Sequence, residues 1–79
     1  MEFSEKLQKL RTQRNLTQEQ LANQLFVSRT AISKWETGRG TPNLDSLQAI
    51  AKLFGVSLDE LLSTEEVVVM AKNENKRNT

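Results

Sequence analysis

Apolar and polar side chains alternate between residues 28 and 36, and their spacing places them on opposite sides of a helix. Ile32 and Trp35 lie three residues apart, which places them on one face and favours packing into a core. Core packing is the stronger interpretation of Trp35, although an aromatic ring beside basic residues can also stack on a base. The polar side chains on the opposite face are Arg29, Thr30, Ser33 and Lys34.

This polar face carries groups that suit the edges of nucleic-acid bases. An arginine such as Arg29 can pair bidentately with O6 and N7 of guanine, which is worth about 1–3 kcal/mol of discrimination. Thr30 offers a methyl group to thymine and a hydroxyl to a base or phosphate, and Lys34 can reach a guanine or a phosphate. Exposed arginine and lysine are also common on ordinary solvated surfaces, so the face needs a structural context before it indicates a function.

The composition excludes several kinds of chemistry. The chain has 79 residues, which predicts one small domain with a modest buried fraction. It contains neither cysteine nor histidine, so thiolate metal sites and the commonest general base are absent. We therefore expect no metal, no cofactor and no enzymatic activity. No apolar run approaches the roughly 18 residues that span a bilayer. The sequence thus predicts a cytoplasmic protein with no membrane contact in this chain.

Charge is unevenly distributed along the chain, although the formal net charge is only +1. Residues 1–43 carry seven basic and four acidic side chains, whereas residues 44–66 carry one basic and five acidic ones. The net charge by itself indicates no particular partner. The distribution places the polar face of residues 28–36 in the basic part of the chain.

Apolar spacing and capping residues predict three helices in the first half of the chain. The first runs over about residues 4–13, with Asn15 as a left-handed stop. Thr17 opens the second through the capping box of "TQEQ", and Ser28 is the N-cap of the third, which stops at Gly38. The predicted inward-facing residues of these helices are Phe3, Leu7, Leu10, Leu21, Ala22, Leu25, Ile32 and Trp35.

Two further helices follow the loop "GRGTPN". Asn43 caps the fourth and Gly55 ends it, and "SLDE" from Ser57 forms a second capping box that opens a short fifth helix. The predicted inner faces are Leu44, Leu47, Ile50, Ala51 and Phe54 on helix four, and Leu58, Leu61 and Leu62 on helix five. No strand is predicted. The result is an all-α, compact five-helix domain over residues 1–63.

Residues 64–79 form a predicted C-terminal extension. The β-branched run Val67–Met70 can extend helix five, form an edge contact, lie disordered or contribute to a dimer interface. The extension as a whole is expected to be partly disordered, or to belong to a dimer interface or a linker. The polar sequence "KNENKRNT" that ends the chain is typical of a partly disordered tail.

Helices two and three are joined by only Phe26 and Val27, and so short a connection forces the helices to cross steeply. A steep, close crossing needs a small residue at the contact, and Ala22 supplies it. This is the geometry of a helix-turn-helix, in which the helix of residues 28–36 is the second of the pair.

The stretch from Leu16 to Gly40, "LTQEQLANQLFVSRTAISKWETGRG", resembles the helix-turn-helix of the phage repressor and Cro-like (Xre-type) bacterial regulators. The flanking "LRTQRNLTQEQLA" and "PNLDSLQAIAKLFGVSLDELL" extend the likeness over about residues 5–62. The resemblance implies a lambda-repressor-like five-helix fold whose second motif helix enters the major groove of DNA.

Phe26 departs from the family pattern, because the family usually has glycine at this turn position. The turn needs a left-handed backbone conformation, which costs a residue with a side chain about 1 kcal/mol or more. Two alternatives follow: Phe26 adopts the left-handed conformation under strain, or the turn differs from that of the family. Its ring is expected to be partly exposed or folded back on its neighbours.

The resemblance also implies which residues touch DNA. The groove-facing positions of the family, expected to contact bases, fall here on Ser28, Arg29, Thr30 and Lys34. Phosphate contacts are expected at the start of helix two and around the end of helix three. The residues proposed for those phosphate contacts are Thr17, Gln18, Ser33, Thr37 and Arg39.

Arg11 and Glu36 resemble the family's ion pair between helix one and the end of helix three. A planar guanidinium suits a partly buried carboxylate, so we expect the pair to be structural and to fix helix three in place.

These observations predict a sequence-specific DNA-binding transcriptional regulator. Its expected partners are a pseudo-palindromic operator in double-stranded DNA and a second copy of the chain, because one domain of this size makes few contacts. The alternative is a protein-interaction module, an antitoxin-like partner or an adaptor, built on the same fold. That alternative tolerates an acidic or apolar face on helix three, whereas Arg29 and Lys34 make this face basic.

Overall fold

The computed structural model describes residues 2–62 of the protein, and these residues form helices without any strand. The five helices are α1 (Phe3–Gln13), α2 (Gln18–Leu25), α3 (Arg29–Glu36), α4 (Leu44–Phe54) and α5 (Leu58–Leu61). The predicted all-α, five-helix architecture is confirmed. The predicted extension of residues 64–79, including Val67–Met70, lies outside the described residues.

Four helices begin at the capping residues that the sequence predicts. The side-chain oxygens of Thr17, Ser28, Asn43 and Ser57 each accept a hydrogen bond from the backbone amide three residues later. Thr17 forms the full capping box, because Oε1 of Gln20 also accepts from the Thr17 amide at 2.9 Å. Ser57 forms only the first of these two bonds, to the amide of Glu60 at 3.1 Å, so the second predicted box is half made.

Helices α1 to α4 are each followed by a residue in the left-handed conformation. Asn15 has a φ of 57° after α1, and Gly55 has a φ of 67° after α4, as expected for both. Helix α3 ends at Glu36, and Gly38 at φ 74° forms the left-handed turn that stops it, as predicted. The amide of Arg39 then donates to the carbonyl of Lys34 at 2.9 Å and closes the end of α3.

One hydrophobic core joins all five helices. Its fully buried side chains are Leu7, Leu21, Ile32, Ile50 and Leu61, one from each helix. Trp35 is only 8% exposed, which confirms that it packs in the core. The prediction for Leu44 was wrong: it is 38% exposed, because it is the first residue of α4 and lies beyond the core, where Pro42 is buried instead.

The turn between α2 and α3 resolves the two alternatives for Phe26. Phe26 adopts the left-handed conformation, with φ 58° and ψ 41°. The amide of Val27 donates to the carbonyl of Ala22 at 3.0 Å, which closes the turn and brings the buried Ala22 to the crossing of the two helices. The Phe26 ring is 95% exposed, so it does not fold back on its neighbours.

A partly buried ion pair fixes α3 to α1. Arg11 donates from Nε to Oε2 of Glu36 at 2.6 Å and from Nη2 to Oε1 at 3.0 Å, which makes the contact bidentate. A third donor, Nη1 of Arg11, reaches the carbonyl of Leu16 at 2.8 Å, just before α2. Gln18 adds a bond from Nε2 to Oε1 of Glu36 at 3.1 Å. This network of Arg11, Glu36, Leu16 and Gln18 connects the helix-turn-helix to α1 at two points.

Arg14 anchors the end of α1 to the end of α4. Its Nη1 donates to the carbonyl of Leu53 at 2.9 Å and its Nη2 to the carbonyl of Phe54 at 3.1 Å, and its guanidinium lies 5.1 Å from the centre of the Phe54 ring. A cation at the C-terminus of a helix also interacts favourably with the helix dipole. This basic residue therefore serves the fold.

We expect Glu36→Ala to lower the free energy of unfolding by about 3 kcal/mol, because it removes a buried carboxylate and leaves the partly buried Arg11 guanidinium without its partner. Glu19→Ala, which removes an exposed glutamate of α2, is the matched control and should change stability by about 0.5 kcal/mol or less. Urea unfolding followed by circular dichroism measures both. Equal midpoints for Glu36→Ala and wild type are inconsistent with a stabilising role for the network.

We expect Phe26→Gly to raise the free energy of unfolding by roughly 0.5–1 kcal/mol, because glycine adopts a φ of 58° without steric strain. Little packing is lost with a ring that is 95% exposed. Asn15→Gly is the control at the other left-handed position with a side chain. It should raise the free energy of unfolding by less, since asparagine tolerates this conformation. Thermal unfolding of wild type, Phe26→Gly and Asn15→Gly measures these differences. A lower melting temperature for Phe26→Gly than for wild type contradicts the strain argument.

Candidate nucleic-acid interface

Helix α3 presents the polar face that its sequence predicts. Burial of Ile32 and Trp35 turns the opposite side of the helix to solvent. Arg29, Thr30 and Lys34 are exposed there, and Ser33 is half-buried beside them. The structure therefore brings the expected base-contacting residues together on one surface, with Ser28 at its N-terminal edge.

The capping hydroxyls of α2 and α3 remain able to donate a hydrogen bond. Oγ1 of Thr17 accepts from the amide of Gln20 at 3.0 Å, and Oγ of Ser28 accepts from the amide of Ala31 at 3.1 Å. A hydroxyl that accepts a bond still has its own hydrogen to give. The structural role of each cap is therefore compatible with the DNA contact expected of it.

The start of α2 offers donors for a phosphate. The first backbone amides of a helix have no carbonyl ahead of them within the helix, and they attract anions. The side chain of Gln18 is half-buried and gives one N–H to Glu36, which leaves its second N–H free of that bond. The sequence did not reveal the Gln18–Glu36 bond, because the two residues lie 18 positions apart.

The loop after α3 offers fewer free hydrogen-bond donors for a phosphate than expected. The hydroxyl of Thr37 donates to the carbonyls of Ser33, at 2.9 Å, and Lys34, at 3.3 Å, so its hydrogen already has an acceptor. The backbone amide of Arg39 is likewise taken, by the carbonyl of Lys34. The exposed side chain of Arg39 can meet a phosphate directly.

The electrostatics of α3 favour an anionic ligand. The acidic residue of this helix, Glu36, is buried and paired with Arg11, and the first turn contains no acidic residue. Within residues 2–62, Arg11–Glu36 is the one ion pair, so Arg29 and Lys34 face solvent without a carboxylate partner. Glu19, in the first turn of α2, is an exposed negative charge within the motif.

Other kinds of site find little support in the described part of the chain. No group of three or more histidine, cysteine, aspartate or glutamate side chains in residues 2–62 is placed to hold a metal ion. An open cavity of about 280 Å³ is lined by Lys6, Lys9, Leu10 and Gln13 on α1, and none of the predicted site residues contributes to it. None of the helices described here has the length and apolarity that crossing a membrane requires.

Comparison with known proteins places the motif in a family. A family model described as helix-turn-helix matches residues 7–61. The transcriptional activator BcrR of Enterococcus faecalis is 65% identical over 78 residues, which cover 99% of this chain and 38% of the activator. The phage CTXphi transcriptional repressor RstR of Vibrio cholerae is 35% identical over 74 residues, 94% of this chain and 67% of the repressor. The chain thus spans less than half the length of the activator.

Solved structures agree with the fold. The P22 c2 repressor, crystallised with a synthetic operator, superposes with a TM-score of 0.76 at 32% identity, covering 80% of this chain and 96% of the repressor chain. The restriction-modification controller protein C.AhdI of Aeromonas hydrophila gives a TM-score of 0.69 at 28% identity, over 76% of this chain and 91% of the controller. The chain therefore belongs to the helix-turn-helix family of phage repressor and Cro-like transcriptional regulators.

Proposed function

We propose that the protein is a sequence-specific DNA-binding transcriptional regulator that inserts α3 into the major groove. The observation that carries the proposal is the outward face of α3, where Arg29, Thr30 and Lys34 are exposed and the two cations have no carboxylate partner in the described structure. In this geometry the N-terminal residues of the second motif helix meet base edges. Arg29 and Thr30 occupy that end of α3.

Base and phosphate contacts divide along the motif. Ser28, Arg29, Thr30 and Lys34 supply the groups that face the groove, and Thr17 and Gln18 bind a phosphate at the start of α2. Arg39 binds a second phosphate from the loop after α3. Ser33 and Thr37 are weaker candidates, because Ser33 is half-buried and the Thr37 hydroxyl already donates to backbone carbonyls. The P22 c2 repressor, whose fold this chain shares, has been crystallised with its operator, which supports this arrangement.

Two copies of the chain acting on a pseudo-palindromic operator complete the proposal. Two-fold symmetric dimers of this motif place their half-sites about 34 Å apart, or multiples of that. The domain meets DNA in the cytoplasm and performs no catalysis. The adaptor alternative is disfavoured, because a face with two unpaired cations and a hydroxyl suits a polyanion better than a protein surface.

Selection from a random double-stranded DNA pool tests the proposal. We expect one consensus with two inverted half-sites, whose affinity falls steeply as salt rises, because lysine and arginine contacts release counterions from the phosphates. Anisotropy titrations of the selected DNA between 50 and 200 mM salt, about the range in which such binding weakens strongly, measure the slope. Failure to bind any DNA at the lowest salt would leave the adaptor function as the better explanation.

Arg29→Ala should remove sequence preference at one position of each half-site. The loss of a bidentate arginine–guanine pair corresponds to about 1–3 kcal/mol, or roughly 5- to 160-fold in affinity for the preferred base. Lys52→Ala, which removes an exposed cation of α4 outside the motif, is the matched control and should keep both affinity and preference. Repeating the selection with each variant measures the base preference at every position of the site. An unchanged consensus for Arg29→Ala excludes a base-specific contact by Arg29.

A further inference from the structure

Phe26 has two energetically unfavourable features, one in its backbone and one in its side chain. Its backbone is left-handed at φ 58°, a conformation that side chains rarely adopt, and its ring is 95% exposed to water. Either feature alone has ordinary explanations. Together they mark a large apolar side chain that neither relaxes its own backbone nor covers any apolar surface of the domain.

The ring contributes nothing to the turn that holds it. The turn is closed by backbone bonds, from the Phe26 amide to the carbonyl of Asn23 at 3.4 Å and from the Val27 amide to the carbonyl of Ala22 at 3.0 Å. A glycine would make the same bonds without strain. A strained residue that the fold does not require points to a role outside the domain.

The position of Phe26 indicates what that role is. It precedes the N-cap of α3, Ser28, by two residues, so their Cα atoms are at most about 7 Å apart. The ring is therefore anchored beside the end of α3 that carries Arg29 and Thr30. Apolar side chains at this end of a recognition helix can contact thymine methyl groups or the deoxyribose wall of the groove.

We propose, on the basis of the proposed function, that Phe26 is a further DNA-contacting residue. Its ring packs against apolar surface of the duplex at the edge of the major groove, next to the base pairs that Arg29 reads. The contact adds affinity without adding charge. Two sources of that apolar surface are distinguishable by experiment: a thymine methyl, which depends on sequence, and deoxyribose, which does not.

A protein partner fits the same ring less well. The core of a protein interface needs a cluster of apolar side chains, whereas the exposed large apolar residues of residues 2–62 are Phe26 and Leu44, on separate elements. The exposed residues just before Phe26 on α2 include Asn23 and Gln24, which are neutral amides and do not repel phosphate. A single ring among neutral and basic groups suits the wall of a DNA groove.

The test compares binding of the selected operator by wild type, Phe26→Gly and Phe26→Asn. Both variants remove the ring and keep a residue that tolerates the left-handed turn. We expect each to weaken binding about tenfold, with the slope of affinity against salt unchanged, because no phosphate contact is lost. Phe26→Leu should retain part of the affinity. Asn23→Ala, which truncates an exposed side chain three residues earlier, is the control and should bind as wild type does.

Operators with uracil in place of thymine at single positions separate the two sources of apolar surface. If the ring contacts one thymine methyl, replacing that thymine by uracil weakens DNA binding by wild type but not by Phe26→Gly. The effects of the base change and of the Phe26→Gly substitution are then not additive. If no position shows this coupling while the tenfold loss persists, the contact is to deoxyribose.

The outcomes separate this inference from the function on which it rests. Absence of DNA binding by wild type overturns the proposed function and the inference together. Tight binding by wild type and equal binding by Phe26→Gly and Phe26→Asn overturns the inference alone and leaves the proposed function standing. Circular dichroism of each variant confirms that the helices are intact, so a loss of binding reports on the ring.

Discussion

The bidentate contact between Arg11 and Glu36 is the interaction on which the motif depends. Helices α2 and α3 have eight residues each, and isolated helices of this length are marginal in water. A carboxylate near the C-terminus of a helix also opposes the helix dipole. Glu36 sits at that end of α3 because the Arg11 guanidinium compensates both its burial and the dipole. The same guanidinium holds the carbonyl of Leu16, so one side chain sets the positions of both motif helices relative to α1.

The local features of the fold were readable from the sequence, and the long-range ones were not. Helix starts were predicted correctly because Thr17, Ser28, Asn43 and Ser57 make their capping bonds within three residues of themselves. The conformation of Phe26 stayed open, because whether a side chain accepts a left-handed turn depends on how tightly the crossing of α2 and α3 constrains it.

The partners of polar side chains were the least predictable part of the site. Arg14 counts toward the basic half of the sequence, yet it bonds to carbonyls 39 and 40 residues away, and no local pattern signals that contact. The Arg11–Glu36 pair was foreseen through family resemblance and is confirmed by its geometry. The outward direction of Arg29, Thr30 and Lys34 followed from periodicity alone, since burial of Ile32 and Trp35 fixes the rotation of α3.

These internal contacts reduce the charge that is left for DNA, which bears on how many copies must act together. Of the seven basic side chains in residues 1–43, Arg11 and Arg14 are engaged within the fold. Lys6 and Lys9 lie on α1, which leaves Arg29, Lys34 and Arg39 on α3 and the loop after it. A protein that makes about 6–10 phosphate contacts binds DNA with an affinity that falls steeply with salt, as proposed for this one. Three cations and two helix starts fall short of that in one copy. Two copies related by a two-fold axis would double the number of contacts and reach that range, which supports the symmetric operator proposed above.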